Sequence, residues 1–134
     1  RPFVSGQVFL PRLGLRGEIL WLVDTGSDES LLSLRDANRL GVTHELLAEG
    51  VPSRGLGGVV NNLEEPAVLA FLDADGAIHV YQIRLDVAAP EPQAEGLPSL
   101  LGRDILDRWR MDYYPAADQL TFEVITADAT RPAS

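Results

Sequence analysis

An aspartate, a threonine and a glycine stand directly after an apolar run near the start of the chain. The run covers residues 19–23 (Ile-Leu-Trp-Leu-Val), is typical of a buried strand, and is followed by Asp24, Thr25, Gly26 and Ser27. Gly26 permits the sharp backbone turn that such a strand end requires. A carboxylate at the end of a core strand is either paired or functional, because burying it alone costs too much free energy.

Two interpretations of Asp24 stand side by side. In the structural one, its carboxylate closes an Asx-turn by accepting the amides of Gly26 and Ser27. In the functional one, it is a catalytic acid or base. A haloacid-dehalogenase-like phosphatase needs a second acid where Gly26 stands, and the similar phosphate loop of actin-like ATPases belongs to a much longer chain with a second such loop. A further chemistry is a pair of carboxylates that share a proton where two such loops meet, but taken alone the short loop slightly favours the structural interpretation.

A second motif lies late in the chain, where Leu100, Leu101 and Gly102 precede Arg103 and Asp104. The early Asp-Thr-Gly-Ser and the late Leu-Leu-Gly-Arg-Asp together resemble the retropepsin-like aspartic peptidases, which are single-domain, homodimeric relatives of pepsin. The resemblance spans roughly residues 4–124. It implies an all-β fold, a closed barrel equivalent to half of an acid protease, with a flap hairpin and one or two short helices.

The resemblance also implies roles for the two motifs. Asp24 from each of two subunits would form the catalytic pair, and the Thr25 hydroxyl would bond the backbone of the opposite loop. Gly26 would let the substrate backbone approach closely. Asp28 and Arg103 match the positions of an ion pair that braces the active-site loop near the dimer interface.

Two further residues of these motifs leave questions open. Ser27 stands where retroviral enzymes usually carry Ala and pepsin-like ones carry Ser or Thr. Its hydroxyl either caps the turn or donates to the catalytic carboxylate and favours its ionised form. Asp104 stands where the retroviral enzymes often have Asn, whereas many cellular relatives have Asp.

A glycine-rich segment occupies the middle of the chain. On composition alone it is the tip of an ordinary hairpin, and a phosphate-binding loop is disfavoured because no Lys follows. The resemblance instead implies the mobile, substrate-covering flap at this position. Its residues are Gly55, Leu56, Gly57 and Gly58.

Composition limits the possible functions. The 134 residues are enough for one domain, which contains one Asp-Thr-Gly and no internal repeat, so an aspartic peptidase of this length must form a homodimer. The net charge of −9 argues against nucleic acid as a partner. The absence of Cys and Lys excludes thiol and Schiff-base chemistry, and with two His residues we expect neither a metal nor another cofactor.

Hydrophobic periodicity and turn signals predict the remaining elements. We expect an edge strand at 4–10, a strand at 18–23, and a helix at 34–40 with Ser33 as N-cap and Gly41 as C-cap. Strands at 67–72 and 78–87 are joined by an Asp-Gly turn, and a helical pattern covers 103–110. A final hairpin pairs 112–114 with 120–124. The peptidase domain is predicted to cover residues 1–125, and residues 126–134 to form a flexible tail.

The leading hypothesis is a homodimeric aspartic endopeptidase that hydrolyses extended polypeptide segments. The alternative is a catalytically silent module of the same fold that dimerises or binds peptide. No signal peptide or transmembrane run is visible, and Arg1 in place of an initiator Met suggests a fragment of a longer protein. A cytoplasmic protein and a part of a larger, membrane-anchored protein therefore both remain open.

Overall fold

A computed structural model of the chain describes residues 2–47, 51–52, 63–91 and 96–133. The strands within these ranges are β1 (Phe3–Leu10), β2 (Leu15–Val23), β3 (Leu31–Leu32), β4 (Val51–Pro52), β5 (Leu63–Leu72), β6 (Ala77–Val87), β7 (Leu100–Leu101), β8 (Trp109–Tyr114), β9 (Gln119–Val124) and β10 (Ala129–Pro132). The helices are α1 (Leu34–Leu40), α2 (His44–Leu47) and α3 (Arg103–Leu106). In this described part, no helix is long and apolar enough to cross a membrane.

Six strands close into a barrel in the order β1, β2, β7, β3, β6 and β5, and β5 pairs with β1 again. Most pairs are antiparallel, but β2 runs parallel to β7 and β3 runs parallel to β6. β4 extends the sheet beyond β5, β10 adds to β6, and β8 and β9 form a separate two-stranded sheet. The predicted all-β class, with a closed barrel and a few short helices, is confirmed.

The core of the barrel follows from strict alternation along its strands. In β1 the buried positions are Gly6, Val8 and Leu10, and in β2 they are Ile19 and Trp21. They pack with buried residues from the other barrel strands and from α3 in one hydrophobic cluster, which includes Leu32, Leu69, Tyr81, Leu85, Leu101 and Ile105. The buried face is therefore continuous beneath both sequence motifs.

Helix α1 forms as predicted. The Ser33 side chain accepts a hydrogen bond from the Asp36 amide at 3.2 Å, and Gly41 ends the helix with a left-handed φ of 90°. The buried Asp36 carboxylate also accepts from the Ser99 hydroxyl at 2.6 Å. Because Ser99 directly precedes β7, this bond joins the helix to the strand that carries the late motif.

Three predicted elements differ from the structure. Strand β1 is not an edge strand, because it pairs with β2 on one side and β5 on the other. The helix predicted at 103–110 ends at Leu106, and Trp109 begins β8. The predicted flexible tail contains β10, which pairs with β6 from Ala129 to Pro132.

Each difference has a physical reason. Pro11 indicated an edge, but it lies just beyond β1 and takes no part in the ladder. The apolar spacing of Trp109 indicated a helix, yet its indole donates to the Tyr81 hydroxyl at 2.8 Å and packs against Phe71 at 4.9 Å between ring centres. β10 is held mainly by backbone hydrogen bonds to β6, for which an apolar alternation is not required.

Candidate active site

Parallel pairing of β2 and β7 brings the two sequence motifs together. Leu22 aligns with Leu100 and Val23 with Leu101, so the strands end side by side. The pairing continues one residue further, where the Asp24 amide donates to the Leu101 carbonyl at 2.9 Å. The backbone of Asp24 is thus fixed by the late motif, and the residue is half-buried.

The loop after Asp24 is an Asx-turn. One carboxylate oxygen, Oδ1, accepts from the Gly26 amide at 3.0 Å, while the Ser27 amide donates to the Asp24 carbonyl at 3.2 Å. The structural interpretation of this motif is therefore correct for Gly26, whereas Ser27 uses the backbone oxygen. Turn formation does not exclude acid–base chemistry, because a carboxylate has two oxygens and several lone pairs. Thr25 and Gly26 are exposed beside it.

Ser27 supports this loop through an unexpected acceptor. Its hydroxyl donates to the Glu29 carbonyl at 2.6 Å and not to the Asp24 carboxylate. A hydroxyl has one proton to donate. Because this proton goes to the Glu29 carbonyl, it is not donated to the Asp24 carboxylate, the other acceptor considered from the sequence. Of the two roles considered for Ser27, the turn-capping one describes the structure.

Arg103 braces the loop after Asp24, and its predicted ion pair with Asp28 is present. The guanidinium also donates to the Thr25 carbonyl at 3.0 Å, and the Arg103 amide donates to the Ser27 carbonyl at 2.8 Å. The side chains of Arg103 and Asp28 are 44% and 75% exposed in the single chain. The pair therefore lies on an open face of the molecule, next to Thr25.

Ser30 and Asp104 form a second tie that sequence reasoning missed. Ser30 is fully buried, and the Asp104 carboxylate accepts its amide at 2.9 Å and its hydroxyl at 2.7 Å. The Ser30 hydroxyl in turn accepts the Gly102 amide at 3.0 Å. Burial raises the pKa of Asp104, and the two bonds from Ser30 act in the opposite direction. In the sequence, the sign of this tie was the acid directly after Arg103, at a position where the retroviral enzymes often have Asn.

Gly102 is required by close approach. A Cβ placed there would lie 2.6 Å from the Glu29 carbonyl carbon and 2.9 Å from the Ser27 carbonyl oxygen. Both are backbone atoms that cannot move without shifting the loop. The glycine of the late motif therefore lets the start of α3 pack directly against the active-site loop.

A groove with a mixed lining of apolar side chains, Thr25 and Asp118 adjoins the exposed side of this loop. It has a volume of about 640 Å³ and lies between the start of β1 and the β8–β9 hairpin. Its lining residues include Phe3, Val23, Thr25, Met111, Tyr113 and Phe122. Met111 and Tyr113 are 44% and 60% exposed, which leaves an apolar surface in contact with solvent beside Thr25.

The predicted flap residues Gly55, Leu56, Gly57 and Gly58 lie outside the described residues. Among the residues that the structure describes, no group of three or more His, Asp or Glu side chains is arranged to hold a metal ion. The site that the structure does describe therefore consists of Asp24, its turn, and the two ties to the late motif.

Two solved structures are similar to this chain over most of its length. One is the EIAV protease complexed with the inhibitor HBY-793, with 23% identity, 80% of this chain and 86% of that chain covered, and a TM-score of 0.41. The other is a retropepsin-like aspartic protease from Rickettsia conorii, with 21% identity and a TM-score of 0.47. The match covers 91% of this chain and 94% of that chain. No family model and no curated protein matches the chain.

Proposed function

We propose that this chain is an aspartic endopeptidase whose active site is completed by a second copy of itself. The observation that carries the proposal is the setting of Asp24. This half-buried residue follows a core strand, in a turn that Arg103 ties to the start of α3, with Thr25 and Gly26 open to solvent beside it. A carboxylate held in this way is positioned for acid–base work on a ligand that approaches from outside.

The chemistry requires a second carboxylate, and the chain has a single Asp-Thr-Gly sequence. Two close carboxylates cannot both ionise, so the pair holds one proton between them. The ionised Asp24 takes a proton from water, and the water oxygen attacks the carbonyl carbon of the peptide bond. The protonated Asp24 of the other copy supplies the proton that the leaving amide nitrogen needs.

The groove beside Thr25 is the surface on which the second copy would dock. It is continuous with the open side of the Asp24 turn, so a copy seated there brings its own turn close to the first. Its exposed Met111 and Tyr113 are large apolar groups of the kind that form interface cores. In such a dimer Thr25 would bond the opposite loop, and the exposed Asp28–Arg103 pair would become buried.

The substrate of this enzyme would be an extended polypeptide segment added as a strand. The segment around Gly55, Leu56, Gly57 and Gly58 would cover it as a flap. A valine at Gly57 would restrict the backbone there, so Gly57→Val should lower turnover while leaving the fold intact.

Cleavage of a denatured protein and of a peptide library tests the proposal directly. Wild type and Asp24→Asn are compared from about pH 3 to about pH 8, which covers the range in which a carboxyl pair is singly protonated. The wild type should cleave and Asp24→Asn should not. Equal, background-level cleavage would support the silent module of the same fold instead.

A mixing experiment tests whether the two carboxylates come from two copies. Wild type and Asp24→Asn are mixed in equal amounts under conditions that allow subunit exchange, at constant total protein. Random pairing leaves both aspartates intact in about a quarter of the symmetric dimers. Activity should therefore fall to about a quarter of that of the same total amount of wild type. A fall to one half, as for independent subunits, would contradict the shared site.

A further inference from the structure

Asp86 lies at the point where the active-site loop rejoins the barrel. It is near the end of β6, where its parallel partner in β3 is Leu31 and its antiparallel partner in β5 is Glu64. Its amide donates to the Ser30 carbonyl at 3.2 Å. Glu29 is the residue directly before Ser30, so the backbone places a second acid beside Asp86.

The side chain of Asp86 has an unsatisfied oxygen. Its Oδ1 atom is buried and has no hydrogen-bond donor within the described residues. The side chain within hydrogen-bonding reach is that of Glu29, which is also a carboxyl group. Two carboxyl groups bond each other only when one of them is protonated. A proton between them would replace the repulsion of two like charges with a hydrogen bond at a buried side chain.

The surrounding charges favour this proton. Within the ranges that the structure describes, the charged groups that act on Asp86 are the acids Glu29, Glu64 and Asp104. Arg84 lies two residues earlier on β6, across from Pro66, and is not among them. Arg103, the cation of the active-site loop, is engaged by Asp28 and the Thr25 carbonyl. Burial, then the hydrogen bond and charge of Glu29, raise the pKa of Asp86 to about 7.

We propose that Glu29 and Asp86 share one proton and so form a pH-sensitive latch between strand β6 and the active-site loop. With the proton present, the two side chains bond each other. When it leaves, two like charges face each other, and Glu29, which is exposed, turns towards solvent. The backbone carbonyl of Glu29 accepts the Ser27 hydroxyl, so the residue that carries the latch also contacts the turn after Asp24.

The direction of the pH effect follows from the raised pKa of Asp86. An unfolded aspartate ionises near 3.8, whereas the folded one keeps its proton up to about 7. Between these values the folded state binds the extra proton, so the stabilisation is complete below the lower value and is lost as the pH rises through the upper one. The latch is therefore closed in acid and opens as the pH rises through about 7.

The latch rests on contacts within one chain and does not depend on the proposed protease activity. Its consequence for catalysis does: in an aspartic protease, it would hold the loop of Asp24 most firmly in acid. The experiment below uses titration and stability alone, so its outcome is independent of whether any peptide is cleaved.

The test combines carboxyl titration by NMR with thermal unfolding from about pH 4 to about pH 8, the window set by the raised pKa of Asp86. In the wild type, Asp86 should titrate at least about two units above an ordinary aspartate. Asp86→Asn and Glu29→Gln each carry an amide that can donate across the pair at every pH. Their unfolding temperatures should therefore fall less than that of the wild type as the pH rises.

Glu64→Gln is the matched control, because Glu64 acts on Asp86 through its charge and not through a hydrogen bond. It should lower the titration midpoint of Asp86 by less than Glu29→Gln does. All samples are compared at one protein concentration, since association shifts apparent stability. If Asp86 titrates near 4 in the wild type, the latch is overturned even if a variant fails to fold. The latch is also overturned if the unfolding temperatures of wild type and Asp86→Asn change with pH in parallel.

Discussion

The guanidinium of Arg103 donates to the carbonyl oxygen of Thr25 at 3.0 Å, which ties the late sequence motif to the backbone of the early one. The same side chain pairs with Asp28, so one cation holds two points of the loop. Because both side chains are largely solvated in the single chain, the tie orients the loop more than it stabilises the fold. Its effect should therefore appear in function and association before it appears in stability.

Arg103→Ala should separate these effects. At a concentration where the chain is monomeric, we expect the free energy of unfolding to fall by no more than about 1 kcal/mol, as for an exposed ion pair. Dimerisation and peptide cleavage should fall much further, because in the proposed dimer the pair would be buried and Asp28 would be left without its partner. Denaturant unfolding, sedimentation and cleavage rates provide the three measurements.

Arg39→Ala is a matched control for this variant. Arg39 also joins a carboxylate, that of Asp36, and a backbone carbonyl, that of Glu18, and its side chain is 52% exposed. It has neither contact with the Asp24 loop nor a place in the groove. An Arg103→Ala protein that dimerises and cleaves like Arg39→Ala would show that the brace has no role in the site.

Asp104 should be a larger contributor to stability than Arg103, since it satisfies two groups of the fully buried Ser30. Asp104→Ala removes both acceptors and leaves a buried amide unpaired, which costs about 1–3 kcal/mol. Asp104→Asn keeps one acceptor oxygen and should cost less than half as much. Urea unfolding of the two variants checks the prediction, and equal losses would show that the Ser30 contacts are not what Asp104 contributes.

Local patterns predicted much of this molecule. The strand that ends at Asp24, the capped helix α1 and the Asp-Gly hairpin between β5 and β6 each depend on residues a few positions apart. The Asp28–Arg103 contact came from the motif resemblance and is present. The strand, the helix and the hairpin were predictable because their physical causes lie within short segments, whereas the Asp28–Arg103 contact required the resemblance.

Long-range partners were not predictable in the same way. The Ser30–Asp104 tie joins residues 74 positions apart, and the side-chain contact of Glu29 with Asp86 depends on β3 lying parallel to β6. β10 has no apolar alternation, yet it joins the sheet by backbone hydrogen bonds. Sequence periodicity reports which face of an element is buried, but it does not report which distant element lies opposite.

If the groove beside Thr25 is the dimer interface, a charge introduced there should weaken dimerisation. Tyr113→Asp places a carboxylate in the proposed interface and should raise the dimer dissociation constant at least about tenfold, as for a central interface residue. Leu72→Asp is the control, because Leu72 is a comparably exposed apolar residue, 66% against 60%, that does not line the groove. Light scattering over a dilution series measures both, and equal dissociation constants would place the interface elsewhere.

The last prediction concerns Ser27 and reverses the expectation from its sequence position. A hydroxyl that donated to the Asp24 carboxylate would favour the ionised form, and its removal would shift the acidic limb of the pH–rate profile upward. In the structure the hydroxyl donates instead to the Glu29 carbonyl at 2.6 Å. We therefore expect Ser27→Ala to leave the acidic limb where it is and to lower the free energy of unfolding by about 1 kcal/mol, the value of one lost hydrogen bond. Ser27→Thr keeps the donor and should restore that stability. An acidic limb that moves upward in Ser27→Ala and returns in Ser27→Thr would mean that the hydroxyl turns towards Asp24 when the second copy binds.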